Sequence, residues 1–264
     1  MAPDDAPAAA ASVLAGAESW SHHAPDAGAA GLLAIHGFTG SPSSMRGYAE
    51  AVAAAGFHVE LPRLPGHGTT VEDLMTTTWS DWTAAVAMAY ADLAARAEQV
   101  VVAGQSMGGA LALWTALQHP ELSGLVCVNP ATQPPAPEVH SMLEELLATG
   151  TAVIPGAGSD IADPDANDIA YAGTPVRPLL SLIDDGLAPL TTRYGELHAP
   201  LLLFTSHQDH TVEPSQSEYL AAHYGGPVDH RWLERSYHVA TRDFDRDAIF
   251  LATVEFVRKV TGSA

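Results

Sequence analysis

The sequence predicts an α/β fold: a mostly parallel central sheet, helices on both faces, and a small cap inserted late in the chain. Three observations predict it. Short apolar runs recur along the chain and alternate with segments of helical period, which is the signature of a parallel sheet covered on both sides. The second is one complete strand-to-helix unit: residues 100–103, all small or β-branched, followed by Ala110, Leu111, Leu113, Trp114 and Leu117 at helical spacing. The third observation is a break in this alternation over residues 131–195, where prolines and glycines collect and no strand pattern is evident.

Taken in order, residues 1–12 are rich in Ala and Pro and read as a mobile tail. The α/β core then spans 13–130 and 196–264, with 131–195 as the cap. Gly31–Ile35 is a buried strand. Ser41, or the pair Ser43 and Ser44, can cap a helix running to Ala55, which Gly56 closes. Residues 57–61 form the next strand. Pro62 to Thr69 hold too much Pro and Gly for regular structure. Trp79, Trp82, Val86 and Tyr90 share one helix face, with Asp81 and Asp92 in solvent. After the strand at 100–103 and its helix comes a strand at 125–128, ending at Asn129 and Pro130. Within the cap, 138–147 and 178–183 have helical character. A long stretch without structure is improbable inside a compact domain, so the segment is expected to fold over the neighbouring strand ends. Residues 200–204 restore the strand pattern, 215–224 are helical, 230–233 form a last strand, and 244–260 a closing amphipathic helix.

Composition excludes several classes. Of 264 residues, 47% are hydrophobic and 16% charged, values of a globular chain long enough to bury a sizeable core. The formal net charge of −20 opposes binding to nucleic acid or to anionic membrane surfaces. No apolar run reaches the roughly 18 residues of a membrane span, so stable membrane insertion is not expected. The N-terminus lacks a basic stretch and carries Asp4 and Asp5, so it does not read as a signal peptide, and a cytoplasmic location is expected. The single cysteine, Cys127, lies in an apolar run and reads as a core thiol.

Gly104-Gln105-Ser106-Met107-Gly108 is a G-x-S-x-G set where strand turns into helix. Such a turn strains the serine backbone and tolerates only small residues two positions to either side. It also puts Ser106 at a helix N-terminus, where free N–H groups favour developing negative charge. His36-Gly37-Phe38-Thr39-Gly40 follows the strand at Gly31–Ile35, and its glycines allow close backbone approach to a reacting carbonyl. The amides of Phe38 and Met107 are the candidate oxyanion donors. His36 and His67 read as loop braces. A serine nucleophile needs a base, and the base a carboxylate, in the chain order Ser, acid, His. Ser106, Asp209 and His238 meet that order, each just after a strand. The rivals are Glu213, farther along the Asp209 loop; His207 and His210, too near Asp209; and His223 and His230, within a helix and a strand. The acidic run Asp160, Asp163, Asp165 and Asp168 lacks the glycine and terminal glutamate of a calcium loop, so no metal site is expected.

These segments (HGFTGSPSSM, LPRLPGHGT, the Trp-rich helix, GQSMGG, the run from Asp209 to Pro214, and SYHVATRDFD) make the chain resemble α/β-hydrolase-fold carboxylesterases. It is most similar to bacterial monoacylglycerol lipases of the small thermophilic esterase type. The resemblance implies the same nucleophile, acid, base and oxyanion amides. It further implies a cap over an acyl channel and a polar pocket for a glycerol end, served by Asp168 within NDIAY and by Asn129. The expected activity is hydrolysis of short- to medium-chain esters, monoacylglycerols included, without a cofactor and with a small-molecule ester as the partner. Thioester, carbon–carbon or perhydrolytic chemistry on the same residues stays open, as does a non-catalytic binding role. The sequence does not fix an oligomeric state.

Overall fold

The computed structural model describes residues 11–26, 28–156 and 158–263. The tail expected over 1–12 lies, but for its last two residues, outside them. A seven-stranded sheet runs in the order β1-β3-β2-β4-β5-β8-β9. Its strands are β1 (Trp20–His22), β2 (Gly31–Ile35), β3 (His58–Leu61), β4 (Val100–Gln105), β5 (Gly124–Val128), β8 (Leu201–Ser206) and β9 (Val228–Leu233). All pairs are parallel except β1 with β3.

The continuous apolar strands follow from two-sided burial, because successive side chains point to opposite faces. Leu33, Ile35, Val100, Val102, Leu125, Cys127, Leu201 and Leu203 pack on one face. Their partners there come from α3 (Trp79–Ala94), α4 (Met107–Gln118) and α8 (Pro214–His223). Leu32, Ala34, Val101, Ala103, Val126, Val128, Leu202 and Phe204 pack on the other, against α1 (Ser43–Ala54) and α9 (Arg246–Thr261). Cys127 is fully buried, and burial pushes its thiol up to about 12. It is a core residue, as expected.

Helix ends show local chemistry. Ser41 Oγ accepts the Ser43 amide at 3.3 Å, capping α1 from just outside it. Asp81 is exposed, as expected, and also accepts the Thr78 amide at 2.8 Å, closing a capping box at the start of α3. Gly262, with φ of 65°, ends α9 in the left-handed conformation. A short helix, α2 (Val71–Leu74), was not expected; Thr70 caps it.

Between β5 and β8 the chain leaves the sheet. It forms α5 (Pro137–Ala148), a hairpin of β6 (Val153–Pro155) and β7 (Gly173–Pro175), α6 (Val176–Ser181), a π-helical turn (Leu182–Leu187) and α7 (Ala188–Thr191). The hairpin corrects the expectation that this segment has no strand. Leu143, Val176 and Ile183 give it a small core of its own. It is also pinned to the main body: Ser181 Oγ accepts the Trp79 amide at 3.0 Å, and Gly186 lies so close to the Trp79 ring that a Cβ would fall 2.9 Å from it. Among the described residues no helix is long and apolar enough to cross a membrane.

Candidate active site

β4 delivers Ser106 and α4 begins at the next residue. Ser106 has φ of 56° and ψ of −121°, a conformation that a non-glycine residue adopts only when its surroundings hold it there. Those surroundings are backbone. A Cβ on Gly104 would lie 1.9 Å from the Gly108 carbonyl oxygen, and one on Gly108 would lie 2.2 Å from that of Ile35. The Ser106 carbonyl accepts N–H groups from Gly109, Ala110 and Ala131, so the elbow is fixed while the side chain is not. Among the described residues no hydrogen bond engages Ser106 Oγ.

The loop after β2 touches the elbow: a Cβ on Gly37 would lie 3.2 Å from Ser106 Cβ. His36 braces this loop. Its Nδ1–H donates to the Gly37 carbonyl at 2.9 Å, and its Nε2 accepts the Leu64 amide at 3.1 Å. Burial lowers its pKa to about 4, so the ring is neutral and can hold both bonds. His67 packs edge-on against His36 and Phe38, and burial drives its pKa well below the ordinary value. Both histidines thus behave as braces. The amides of Phe38 and Met107 meet no acceptor among the described residues, the state an oxyanion hole needs before charge arrives.

β8 and β9 lead into the loops that carry Asp209 and His238. Asp209 Oδ2 lies 2.7 Å from His238 Nδ1, with the side chains 1% and 8% exposed. Asp209 Oδ1 accepts the amides of Thr211 and Val212, both at 2.8 Å, which leaves Oδ2 aimed at the histidine. The rivals are engaged elsewhere. His207 stacks on Trp232, His223 on Tyr219, His230 meets Thr205, and His210 pairs with Asp160. Glu213 is exposed at the start of α8.

Ser106, His238, Phe38, Met107 and Asp168 line one cavity of about 330 Å³. Its lining also includes an apolar wall of Leu143, Leu179, Leu182, Ile183 and Leu187 from the segment between β5 and β8. Asp168 is held by Ser43 Oγ and by the Ile169 amide at 2.8 Å, both on Oδ1; burial raises its pKa. Asn129, grouped with Asp168 in the sequence reading, stands apart from the cavity. Its side-chain nitrogen donates to Ser206 Oγ and to the His238 carbonyl, each at 2.9 Å, and its oxygen accepts the Ser206 amide at 2.7 Å. With φ of 45° and 1% exposure, it ties the end of β5 to the histidine loop. Its amide has no group left for a substrate.

Sequence reasoning missed Tyr171 and Asp160. The Tyr171 amide donates to the Thr39 carbonyl at 2.9 Å, and its hydroxyl donates to that of Gly66 at 2.8 Å. Asp160 accepts amides of both the Asp209 and the His238 loops. Both act on backbone groups, which leave no mark in residue spacing.

A serine on a strained elbow, sharing a cavity with a histidine bonded to an aspartate, on a mostly parallel sheet of this order, is the arrangement of an α/β hydrolase. The chain belongs to the family described as serine aminopeptidase, S33, which matches residues 27–245. It is 38% identical over 255 residues to the thermostable monoacylglycerol lipase of Bacillus sp. (strain H-257), covering 95% of this chain and 98% of that one. It is 24% identical over 238 residues to a carboxylesterase of Bacillus subtilis (strain 168), covering 87% and 92%. A solved structure from the metagenome-derived lipolytic enzymes LipS and LipT superposes with a TM-score of 0.88 at 38% identity, covering 94% of this chain and all of that one. The protein is a serine hydrolase of the esterase and lipase kind.

Proposed function

We propose that Ser106, Asp209 and His238 are nucleophile, acid and base in the hydrolysis of short- to medium-chain carboxylic esters, monoacylglycerols among them. The observation that carries this reading is the 2.7 Å bond between Asp209 and His238 beside an otherwise unengaged Ser106 hydroxyl. Asp209 fixes the Nδ1–H tautomer, so Nε2 is free to take the Ser106 proton as Oγ attacks the ester carbonyl. The amides of Phe38 and Met107 receive the oxyanion, a contribution of about 3 kcal/mol per donor. His238 returns the proton to the departing alkoxide, and an acyl-enzyme remains. Water, deprotonated by His238, attacks the acyl carbon; the proton then passes to Ser106 Oγ as the acid leaves. These residues require no cofactor for the cycle.

The apolar wall suits an acyl chain, and residues 131–195 serve as the cap that closes over it. Asp168, with Oδ2 left over from its two bonds, suits the free hydroxyls of a glycerol end. The 38% identity to a monoacylglycerol lipase supports the same substrate class. The net charge of −20 supports a small-molecule partner over nucleic acid.

The test is a fluorophosphonate probe with wild type and Ser106→Ala, together with initial rates on nitrophenyl esters, 1-monoacylglycerols and acyl thioesters. Labelling of wild type alone, with turnover of esters and monoacylglycerols, is expected. Esters left intact while a thioester turns over would overturn the substrate assignment.

A further inference from the structure

We propose that Asp160 is a positioning residue for the acid–base pair, acting from the cap across both loops that carry it. Asp160 Oδ2 accepts the His238 amide at 3.2 Å and the His210 amide at 3.1 Å. Its Oδ1 meets His210 Nδ1 at 2.9 Å, and its own carbonyl accepts the Val239 amide at 3.0 Å. His210 directly follows Asp209, so one carboxylate holds the residue next to the acid and the backbone of the base. Inside the site, the same two loops are joined by the bond between Asp209 and His238. A register between loops that is fixed at two points resists the rotation that would lengthen that bond.

The surroundings fit this role. The Asp160 side chain is 13% exposed, so little water competes for its oxygens. The neighbouring backbone is stitched down in the same way: Asp243, fully buried, accepts amides of Ala162 and Asp163 from the cap and of Tyr237 from the histidine loop. The His210 ring, by contrast, is 60% exposed and rests edge-on against Tyr237. The backbone bonds therefore carry the effect, and the ring contributes less.

The role rests on the triad assigned above, so Ser106→Ala and His238→Ala are measured beside the Asp160 variants, all as the full chain. Misplacement of a base by a fraction of an ångström lowers kcat with little effect on binding, so Asp160→Ala is expected to lose about tenfold or more in kcat, with KM within about twofold. Asp160→Asn keeps an oxygen able to accept both amides and should stay within about threefold of wild type. His210→Ala, which keeps its amide, should do the same. A purely structural loss would lower the amount of fluorophosphonate-reactive enzyme, whereas here the labelled fraction at saturation stays whole and only the rate per site falls. Should Asp160→Ala fail to fold, Asp160→Ser, too short to span both amides, is read by the same criteria. Wild-type kcat in the truncated variant, or equal losses in the truncated and Asn variants, would overturn the role. If His238→Ala keeps wild-type turnover, the triad assignment falls instead, whatever Asp160 does.

Discussion

Asp209 Oδ2 and His238 Nδ1 lie 2.7 Å apart although they come from loops after two different strands, β8 and β9, paired in parallel. The pairing brings the loops to one sheet edge, and the turn at Thr211 and Val212 leaves only one aspartate oxygen free for the ring. Asp209→Asn would then present an N–H where the histidine N–H must donate, forcing the other tautomer. A drop of about 10⁴-fold in kcat is expected, with KM and the melting temperature nearly unchanged. Steady-state kinetics on a nitrophenyl ester measures it; a loss under tenfold would mean that Asp209 is not the orienting acid.

The elbow predicts an asymmetry between two glycines. Gly104 has backbone oxygen 1.9 Å from where a Cβ would be, and backbone cannot swing aside. Gly104→Ala should cost more than about 4 kcal/mol, or yield no folded protein. Gly56 has φ of 97° but nothing within 4 Å, so Gly56→Ala bears only the strain of the left-handed backbone, about 1–2 kcal/mol. It should leave turnover untouched. Urea denaturation and initial rates distinguish the two.

The pH dependence of stability follows from His36. Its folded-state pKa of about 4 lies below the unfolded value near 6.5, so the unfolded chain binds the extra proton between them. Stability is complete above the unfolded value and falls as pH drops toward the folded one, by about 3 kcal/mol for a shift of this size. His67 is displaced the same way and adds to the loss. Asp168 has the opposite sign: its pKa is raised, so protonation relieves a penalty as pH falls. Urea midpoints between neutral pH and about pH 4 should fall steeply in wild type and less steeply in His36→Gln, from a lower start. Parallel slopes would show that His36 is not the titrating brace.

The sheet and the candidate triad were legible because each is written in local pattern. β2, β4, β5 and β8 are buried on both faces and so read as unbroken apolar runs. Ser106 is announced by glycines, and Asp209 and His238 by their distance past a strand. β1 was not legible: three residues, antiparallel at the sheet edge and partly exposed, carry no apolar pattern. The hairpin of β6 and β7 joins two three-residue strands across seventeen intervening positions, beyond any local signal. Asn129 had the right position and the wrong role. Only its contacts show that a polar residue past β5 serves a loop rather than a ligand.

Asp168 predicts selectivity rather than rate. Its Oδ1 is occupied by Ser43 and Ile169, which leaves Oδ2 for a hydroxyl on the alcohol side of the substrate. Asp168→Ala should raise KM for a monoacylglycerol about tenfold, the worth of a charge-assisted hydrogen bond, while nitrophenyl esters of the same acyl chain are unaffected. Competition between the two substrates in one assay gives the ratio directly. Equal losses on both would mean that the carboxylate supports the loop at Ser43 and not the glycerol end.

The apolar wall predicts how rate depends on chain length. Each methylene that leaves water is worth about 0.8 kcal/mol, or roughly fourfold in kcat/KM, until the channel is full. Leu179 lines the cavity and packs toward both the main core and the small cluster between β5 and β8. It is only partly buried, so Leu179→Ala should cost about 2 kcal/mol, the low end for a leucine truncation, and the protein should stay folded. The space released opens into the cavity that Ser106 lines, on the wall proposed to hold the acyl chain. The break in the plot of log kcat/KM against chain length should therefore move about two carbons longer, with the slope below the break unchanged. A nitrophenyl ester series in even-carbon steps resolves this. A break that stays in place would put the acyl chain against a different part of the wall, and a shallower slope would mean that the chain is not buried there at all.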